Sequence, residues 1–316
     1  MKFKKEYAIL FLIIAALVLY IVLRKENRIQ YDIPELAEIA PETISKIVIN
    51  GDGKETVLIK DKDQWLVGPA RYTADSYKIK KMIDFLEKPV LTTVASESKD
   101  YMRYGLDDKN RIEVITFSGD ERKRVIDIGN QADIHNYTFI KLEDDHRVFH
   151  AREDLRDTFT TDMDEIRDKA VLSFNPDKIE SIRLSKDGKE WAFNRKVMPS
   201  EGEENKQAAF QWETGDGKTI DDGQISSLLD DLLKVKCSGY LYDIKKDELE
   251  DPLYTLKVRG TNEHALTVFP KKEEEDYTAL SSDNPSIFNL YSWRIDNIIE
   301  KFDKMLGIEE KSESES

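Results

Sequence analysis

The stretch DQWLVGPARYTADSYKIKKMIDFL, residues Asp63–Leu86, contains a strand, a turn and a helix from which the rest of the chain can be interpreted. The segment Gln64–Val67 predicts a strand, which Pro69 ends. Thr73 or Asp75 can then cap a helix, because a short polar side chain satisfies the free N–H groups of the first helical turn. Apolar residues recur along this helix at intervals of three and four: Ile79, Met82, Ile83 and Leu86. The stretch therefore predicts a helix that lies on a sheet through one apolar face.

Short segments of alternating apolar and polar residues lie on both sides of this stretch, at the spacing of β-hairpins. Before it, Ile44–Asn50 and Glu55–Lys60 flank the sequence Gly-Asp-Gly, and Asp-Gly between alternating segments is a strong hairpin signal. A helical or turn segment, Asp154–Leu172, completes this part of the chain. Between these limits, five further segments predict strands: Val90–Ala95, Arg111–Phe117, Arg124–Ile128, Tyr137–Leu142 and Arg147–His150.

The same order of segments starts again at Lys178. Trp212 lies 147 residues after Trp65, and Tyr277 lies 140 residues after Tyr137. A second apolar stripe follows, at Ile225, Leu228, Leu229 and Leu232, and a closing helix is predicted over Trp293–Leu306. We therefore predict an α+β fold with two duplicated units, residues 41–172 and 173–307, each a mainly antiparallel sheet with one packed helix.

A second informative stretch, Tyr7–Leu23 (YAILFLIIAALVLYIVL), contains no charged residue. Its Ile, Leu, Phe and Val residues together favour membrane insertion by roughly −4 to −7 kcal/mol. The small residues Ala15 and Ala16 lie in the middle of the segment and not after it, which favours a retained signal anchor over a cleaved signal peptide. We expect a cytoplasmic tail (1–6), a transmembrane helix (7–23) and a connector (24–40), with the body outside the bacterial cytoplasmic membrane.

Composition limits the possible partners. The 316 residues carry a formal net charge of −15, and 35% of them are charged, which is typical of a globular body with a charged surface. Nucleic acid is an unsuitable partner, because its phosphates require a positively charged surface. The single cysteine, Cys237, excludes an intrachain disulfide. A polar loop is predicted at 199–208, and a disordered acidic tail at 308–316.

The sequence predicts no catalytic, metal or cofactor site, so we expect the protein not to be an enzyme. His146 and His150 flank a predicted strand, where their spacing separates them by about 13 Å. Gly217-Lys218-Thr219 resembles the end of a phosphate-binding loop, but Trp212 stands where that loop needs its first glycine. One acidic cluster lacks the glycine of calcium loops, which favours a solvated helix face over weak calcium binding: Asp162, Asp164, Glu165 and Asp168.

Aromatic residues are the remaining candidates for a binding surface. Trp65, Tyr101, Tyr104 and Trp212 could line a glycan or peptide groove, although aromatic residues on a sheet beside a helix usually belong to the core. Gly105 predicts a turn with positive φ after Tyr104, so that Tyr104-Gly105-Leu106 forms a packed corner. The candidate binding or motif residues are Trp65, Tyr104, Gly105, Leu106 and Trp212.

These residues resemble a known family, the bacterial domain-of-unknown-function family 4340. The resemblance covers residues 44–172 well and the second unit more loosely, since that unit has Glu248-Leu249-Glu250-Asp251 in place of Tyr-Gly-Leu. Family members usually have a proline shortly after Tyr-Gly-Leu-Asp, where this chain has Lys109. The matching positions are Asp63–Leu86, Tyr104 to Asp107, Ile128-Gly129, Tyr137 with Phe139, Val148-Phe149, and Leu155 to Arg167-Asp168-Lys169.

The resemblance implies a membrane-anchored protein with a repeated unit that assists ABC-type export systems, and it carries no established catalytic residues. We therefore expect a non-catalytic extracytoplasmic scaffold that engages an ABC-type permease or an extracytoplasmic auxiliary protein. The alternative is an envelope glycan- or peptide-binding module, or a hydrolase, that uses a groove between the two units. A solvent-facing cluster of aromatic residues and carboxylates in one cleft would favour this alternative.

Overall fold

A computed structural model describes residues 5–23, 32–133, 136–198, 210–271 and 276–308, and in the first of these ranges the side chains of 11–20. The loop predicted at 199–208 lies outside the described residues, as do most of the predicted tails at 1–6 and 308–316. The chain divides into two compact units, one of Met1–Glu55 with Lys81–Thr161 and one of Thr56–Lys80 with Asp162–Ser316. The predicted boundary between residues 172 and 173 stays a prediction.

The described chain contains two nine-stranded sheets and few helices. The first sheet consists of β1 (Lys46–Gly51), β2 (Lys54–Asp61), β3 (Gln64–Val67), β4 (Tyr72–Thr73), β5 (Leu91–Ser96), β6 (Ile112–Ser118), β7 (Glu121–Gln131), β8 (Tyr137–Leu142) and β9 (Val148–Arg152). The second sheet consists of β10 (Ser181–Lys186), β11 (Lys189–Val197), β12 (Phe210–Thr214), β13 (Thr219–Ile220), β14 (Cys237–Leu241), β15 (Tyr254–Arg259), β16 (Glu263–Val268), β17 (Tyr277–Ser281) and β18 (Ile287–Leu290). The helices are α1 (Lys5–Leu23), α2 (Ser76–Glu87), α3 (Leu155–Thr158), α4 (Met163–Ile166), α5 (Asp222–Leu233) and α6 (Ser292–Leu306).

The two sheets have the same topology. The strand order is β4-β3-β2-β1-β6-β7-β8-β9-β5 in the first sheet and β13-β12-β11-β10-β15-β16-β17-β18-β14 in the second. Each strand of the second sheet therefore occupies the position of the strand nine places earlier in the chain. One helix, α2 or α5, lies between the fourth and fifth strands of each set. The predicted α+β class is confirmed, and the shared strand order agrees with the predicted duplication.

Each of the two sheet helices begins after an aspartate that caps it. Asp75 caps α2, accepting a hydrogen bond from the N–H of Tyr77 at 2.8 Å, and Asp221 caps α5 through the N–H of Gln224. The stripe of α5 is buried as predicted, at Ile225, Leu228, Leu229 and Leu232. In α2 the stripe is shifted, because Ile83 is half-buried while Phe85 is buried against Phe159 with ring centroids 5.7 Å apart.

The segment predicted as helix or turn at Asp154–Leu172 is only partly helical. After α3 and α4 the backbone becomes extended, because its polar groups pair with strands on both sides. Arg167 forms a β-bridge with Ala74, and the Asp168 N–H donates to the carbonyl of Thr73 at 2.8 Å. Two residues later, Ala170 forms a β-bridge with Lys236.

Helix α1 covers the segment predicted as a membrane anchor. Its described side chains, residues 11–20, are all exposed. Within the described part of the chain, no helix combines the length and apolarity needed to cross a membrane. The side chains of residues 7–10 and 21–23 lie outside that part, and the anchor stays a prediction.

Candidate functional site

A row of aromatic side chains lies on the face of the first sheet opposite its buried core. Strand alternation places it there, because Thr138, Ile140 and Leu142 of β8 are buried while the residues between them are half-buried. Phe139 pairs across strands with His150 of β9, with ring centroids 4.9 Å apart. The aromatic row consists of Tyr104, Tyr137, Phe139 and His150, each of them half-buried.

The predicted Tyr104-Gly105-Leu106 corner forms one end of the aromatic row. The Tyr104 ring meets the Phe139 ring edge-on at 4.9 Å, and Leu106 is buried. Gly105 has φ of +65°, as predicted, and a Cβ there would lie 2.4 Å from the Asn130 side-chain oxygen. A Cβ on Gly129 would lie 2.2 Å from the carbonyl oxygen of Tyr104. The glycines of the family motif therefore allow this corner to lie directly on β7.

His150 gives the aromatic row a polar group. Its Nδ1 atom hydrogen-bonds the hydroxyl of Thr93 on the neighbouring strand β5 at 2.9 Å. Burial lowers the pKa of His150, because the charged imidazolium loses hydration among the surrounding rings. The row therefore presents one phenylalanine ring, two tyrosine rings and an imidazole, which suits stacking and hydrogen bonding.

A charged row runs beside the aromatic row on the same face. Asp127 is 4% exposed and is compensated by two cations, with Lys141 Nζ at 2.8 Å and Arg111 Nη1 at 3.4 Å from one carboxylate oxygen. Arg111 also pairs with Asp108 at 3.1 Å, and Asn50 donates to Glu113 at 3.0 Å. A buried carboxylate requires such partners, because an unpaired charge at this position would be strongly destabilising.

The two predicted tryptophans do not join the aromatic row. Trp65 and Trp212 are buried at 8% and 6% exposure, on β3 and β12, and Trp212 belongs to the core of the second sheet. Tyr101 and Tyr104 are therefore the predicted aromatic residues that keep access to solvent, since both are half-buried. Gly105 and Leu106 shape the turn that follows Tyr104. Among the described residues, no group of three or more His, Cys, Asp or Glu is arranged to hold a metal ion.

A second cluster of side chains is centred on Arg167, and the sequence patterns did not predict it. This side chain is 2% exposed, and its guanidinium carbon lies 3.5 Å and 3.4 Å from the ring centroids of Tyr72 and Tyr240. Its Nη atoms donate to the hydroxyls of Ser286 at 2.8 Å and Tyr242 at 3.1 Å. Only the run Arg167-Asp168-Lys169 in the family resemblance pointed to this position, and it assigned no role.

The carboxylates near Arg167 serve structural purposes. The sequence predicts that the acidic cluster forms a solvated helix face. In the structure each of its four carboxylates has a different partner. Asp162 caps α4, Glu165 pairs with Lys169 at 3.0 Å, and Asp168 accepts from the N–H of Ala170. Asp164 bonds the hydroxyl of Tyr242, whose pKa is raised to about 12, first by burial and then by this carboxylate.

A cavity of about 240 Å³ adjoins the Arg167 cluster, with Gln64, Asp283 and Asn284 among its lining residues. The Asp283 carboxylate already accepts from the N–H of Ser173 at 2.7 Å and lies 2.8 Å from His264 Nδ1. Since these groups bond one another, the cluster acts as a structural clamp within the second compact unit.

Comparison with known proteins places more than half of the chain in one family model. The model is described as "Domain of unknown function (DUF4340)" and matches residues 65–257. No curated protein and no solved structure matches the chain.

Proposed function

The chain belongs to the DUF4340 family, and we propose that it is a non-catalytic, membrane-anchored accessory or scaffold protein outside the bacterial cytoplasmic membrane. Its partner in this proposal is an ABC-type permease or an extracytoplasmic auxiliary protein of the same export system. The family match confirms the resemblance predicted from the sequence. The association with export is our inference from that resemblance.

The observation that carries the proposal is the exposed apolar surface of α1. Its ten described side chains have the sequence FLIIAALVLY, and all are exposed, with Phe11 at 74% and Tyr20 at 62%. A helix that is apolar on every side requires an apolar environment, since exposing such a surface to water is unfavourable. The lipid core of a membrane supplies that environment, and the uncharged residues 7–23 are nearly long enough to cross it.

Tethering supplies a physical reason for an accessory role. A body held at the membrane meets a membrane-embedded partner at a high effective concentration, so even a weakly binding surface is occupied. The burial of Trp65 and Trp212 supports this function over a groove-binding one, because both predicted tryptophans belong to the folded core. The charged residues described above likewise serve the fold through ion pairs and caps.

Two experiments on the intact protein test the proposal. Protease added to spheroplasts should digest the body, and protection until lysis would contradict the topology. Affinity purification in detergent, followed by mass spectrometry, should recover a permease with its ATPase. A chain in which an unrelated spanning helix replaces residues 7–23 separates recognition by the body from recognition by the anchor. A purified monomer that hydrolyses an envelope polymer would overturn the non-catalytic assignment.

The aromatic row supports a second candidate function, the binding of an envelope glycan or peptide. Aromatic side chains offer large contact areas at a low cost in conformational entropy. In this case Phe139→Ala should weaken binding to peptidoglycan fragments in calorimetric titrations. The control is Phe210→Ala, which removes an aromatic ring of 42% exposure elsewhere in the chain. Absence of binding by the unmodified protein would exclude this candidate.

A further inference from the structure

The connector between α1 and the first sheet is attached to the body over its described part, residues 32–40. The N–H of Ile39 donates to the carbonyl of Glu87 at 3.0 Å, and the Ile39 side chain is buried. Upstream, Ile33, Pro34 and Leu36 are half-buried. These four apolar residues of the connector thus face the protein, whereas Ala37 and Ala40 are exposed.

Arg147 holds the beginning of this segment. Its Nη1 atom donates to the carbonyl of Asp32 at 2.9 Å. Two other atoms of the guanidinium bond the Asp145 carboxylate, with Nε at 3.0 Å and Nη2 at 2.7 Å. This hydrogen bonding lowers the pKa of Asp145. Asp145 is therefore a positioning residue, since it orients the guanidinium so that the remaining nitrogen points at the connector.

Arg124 holds the middle of the segment. It donates to the carbonyl of Ala37 and to the carbonyls of Leu86 and Glu87 at the end of α2. Burial lowers the pKa of Arg124, and its described acceptors are backbone carbonyls. The carbonyl end of a helix carries partial negative charge, which offsets the buried cation. Arg124 thereby joins β7, α2 and the connector.

We infer that the docked connector determines which end of the first unit faces the membrane and how far from it that unit can lie. This inference rests on the proposed function, in which α1 anchors the chain in the membrane. Eight residues, 24–31, separate α1 from Asp32, and a chain of that length spans at most about 30 Å. A connector that was free over 24–40 could span roughly 60 Å.

The surface turned toward the membrane is the end of the first sheet that carries the β6–β7 and β8–β9 turns. An ion pair between Arg122 and Glu143 joins the two turns. Two further cations there are also paired, Lys123 with Glu121 and Arg147 with Asp145. Binding to anionic lipid requires unpaired cations. A surface on which these three cations are ion-paired suits the extracytoplasmic face of a membrane-embedded protein better than an anionic lipid surface.

Hydrogen exchange on the full chain in detergent tests the docking without a membrane. We expect slow exchange of the Ile39 amide in the unmodified protein. Replacing both Arg124 and Arg147 by Ala should accelerate exchange across residues 33–39 at least tenfold while β7 stays protected. The control is Lys123→Ala, whose ammonium pairs with Glu121 and which should leave exchange in the connector unchanged. Fast exchange in the unmodified protein would overturn the inference.

The orientation is tested in nanodiscs that contain lipids with quenching headgroups. A fluorophore on a cysteine introduced at Asp144 should be quenched more strongly than one at Asp108, because these exposed positions lie at opposite ends of strands about 20 Å long. Cys237 is buried and should not compete for the label. Equal quenching at the two positions would overturn the inferred orientation. Failure of the full chain to float with vesicles would refute the anchor, whereas the exchange experiment reports on docking alone.

Discussion

The guanidinium carbon of Arg167 lies 3.4 Å from the centroid of the Tyr240 ring. The Tyr72 ring lies 3.5 Å from the same carbon, so the cation is held between two aromatic rings. Tyr72 belongs to β4 and Tyr240 to β14. One side chain from the extended segment after α4 therefore connects two strands that are far apart in sequence, in addition to the β-bridges of that segment.

Replacing Arg167 by Ala should lower the free energy of unfolding by about 2–4 kcal/mol. A desolvated cation–π contact contributes about 2 kcal/mol, and the hydroxyls of Tyr242 and Ser286 would lose their charged donor. Arg167→Lys should show an intermediate loss, because an ammonium keeps the charge but lacks the planar fork. Urea denaturation followed by tryptophan fluorescence measures both variants.

The matched control for Arg167 is Arg183→Ala. The Arg183 side chain is 48% exposed and lies 3.8 Å from Glu190, so its removal should change stability by less than about 0.5 kcal/mol. Equal losses of unfolding free energy in the Arg167 and Arg183 variants would show that the contact of Arg167 with its two aromatic rings contributes nothing to stability.

Gly105→Ala should destabilise the protein more than Gly119→Ala. Both glycines have positive φ, at +65° and +58°, so either alanine costs roughly 1–2 kcal/mol of backbone strain. Only the Cβ at position 105 also meets the Asn130 side chain, at 2.4 Å, whereas position 119 is open. The midpoint temperatures of thermal unfolding rank the stability of the two variants. Adding Asn130→Ala to the Gly105 variant should recover part of the loss, and no recovery would contradict the clash.

Leu229→Ala should lower the free energy of unfolding by about 2–5 kcal/mol, since it leaves a cavity in a close-packed core. Leu229 is 3% exposed and belongs to the core cluster of the second sheet. Ser226→Ala, on the exposed face of the same helix, is the control and should be nearly neutral. Chemical denaturation measures both, and a loss below about 1 kcal/mol in the Leu229 variant would contradict the burial.

Acid should weaken the first sheet through His150. Burial lowers the pKa of His150 in the folded state below about 6.5, its value in an unfolded chain. Below pH 6.5 the unfolded chain therefore binds more protons than the folded one, and stability falls as the pH falls. His150→Gln should flatten this dependence between pH 7 and pH 5. An NMR titration in which the His150 imidazole titrates above 6.5 would contradict the prediction.

Helix caps and turn glycines can be predicted from neighbouring residues, whereas the burial of a side chain depends on distant parts of the chain. Asp75 is recognisable from the sequence as a possible cap, because a cap lies next to the turn that it serves. Gly105 was recognised as a positive-φ residue from its own neighbours. By contrast, the sequence leaves two locations open for the Trp65 side chain, a binding groove and the core. Its burial depends on the strands and helix that cover it.

The sequence by itself determined the α+β class, the α5 stripe and the repeated order of elements, because the periods of helix and strand are properties of a single segment. Only the tertiary structure decided that Phe139 faces His150 and that Arg167 lies between Tyr72 and Tyr240. Strand register and stacking join residues from separate segments, and the energy that selects those partners comes from cross-strand and side-chain contacts that exist only after the chain has folded.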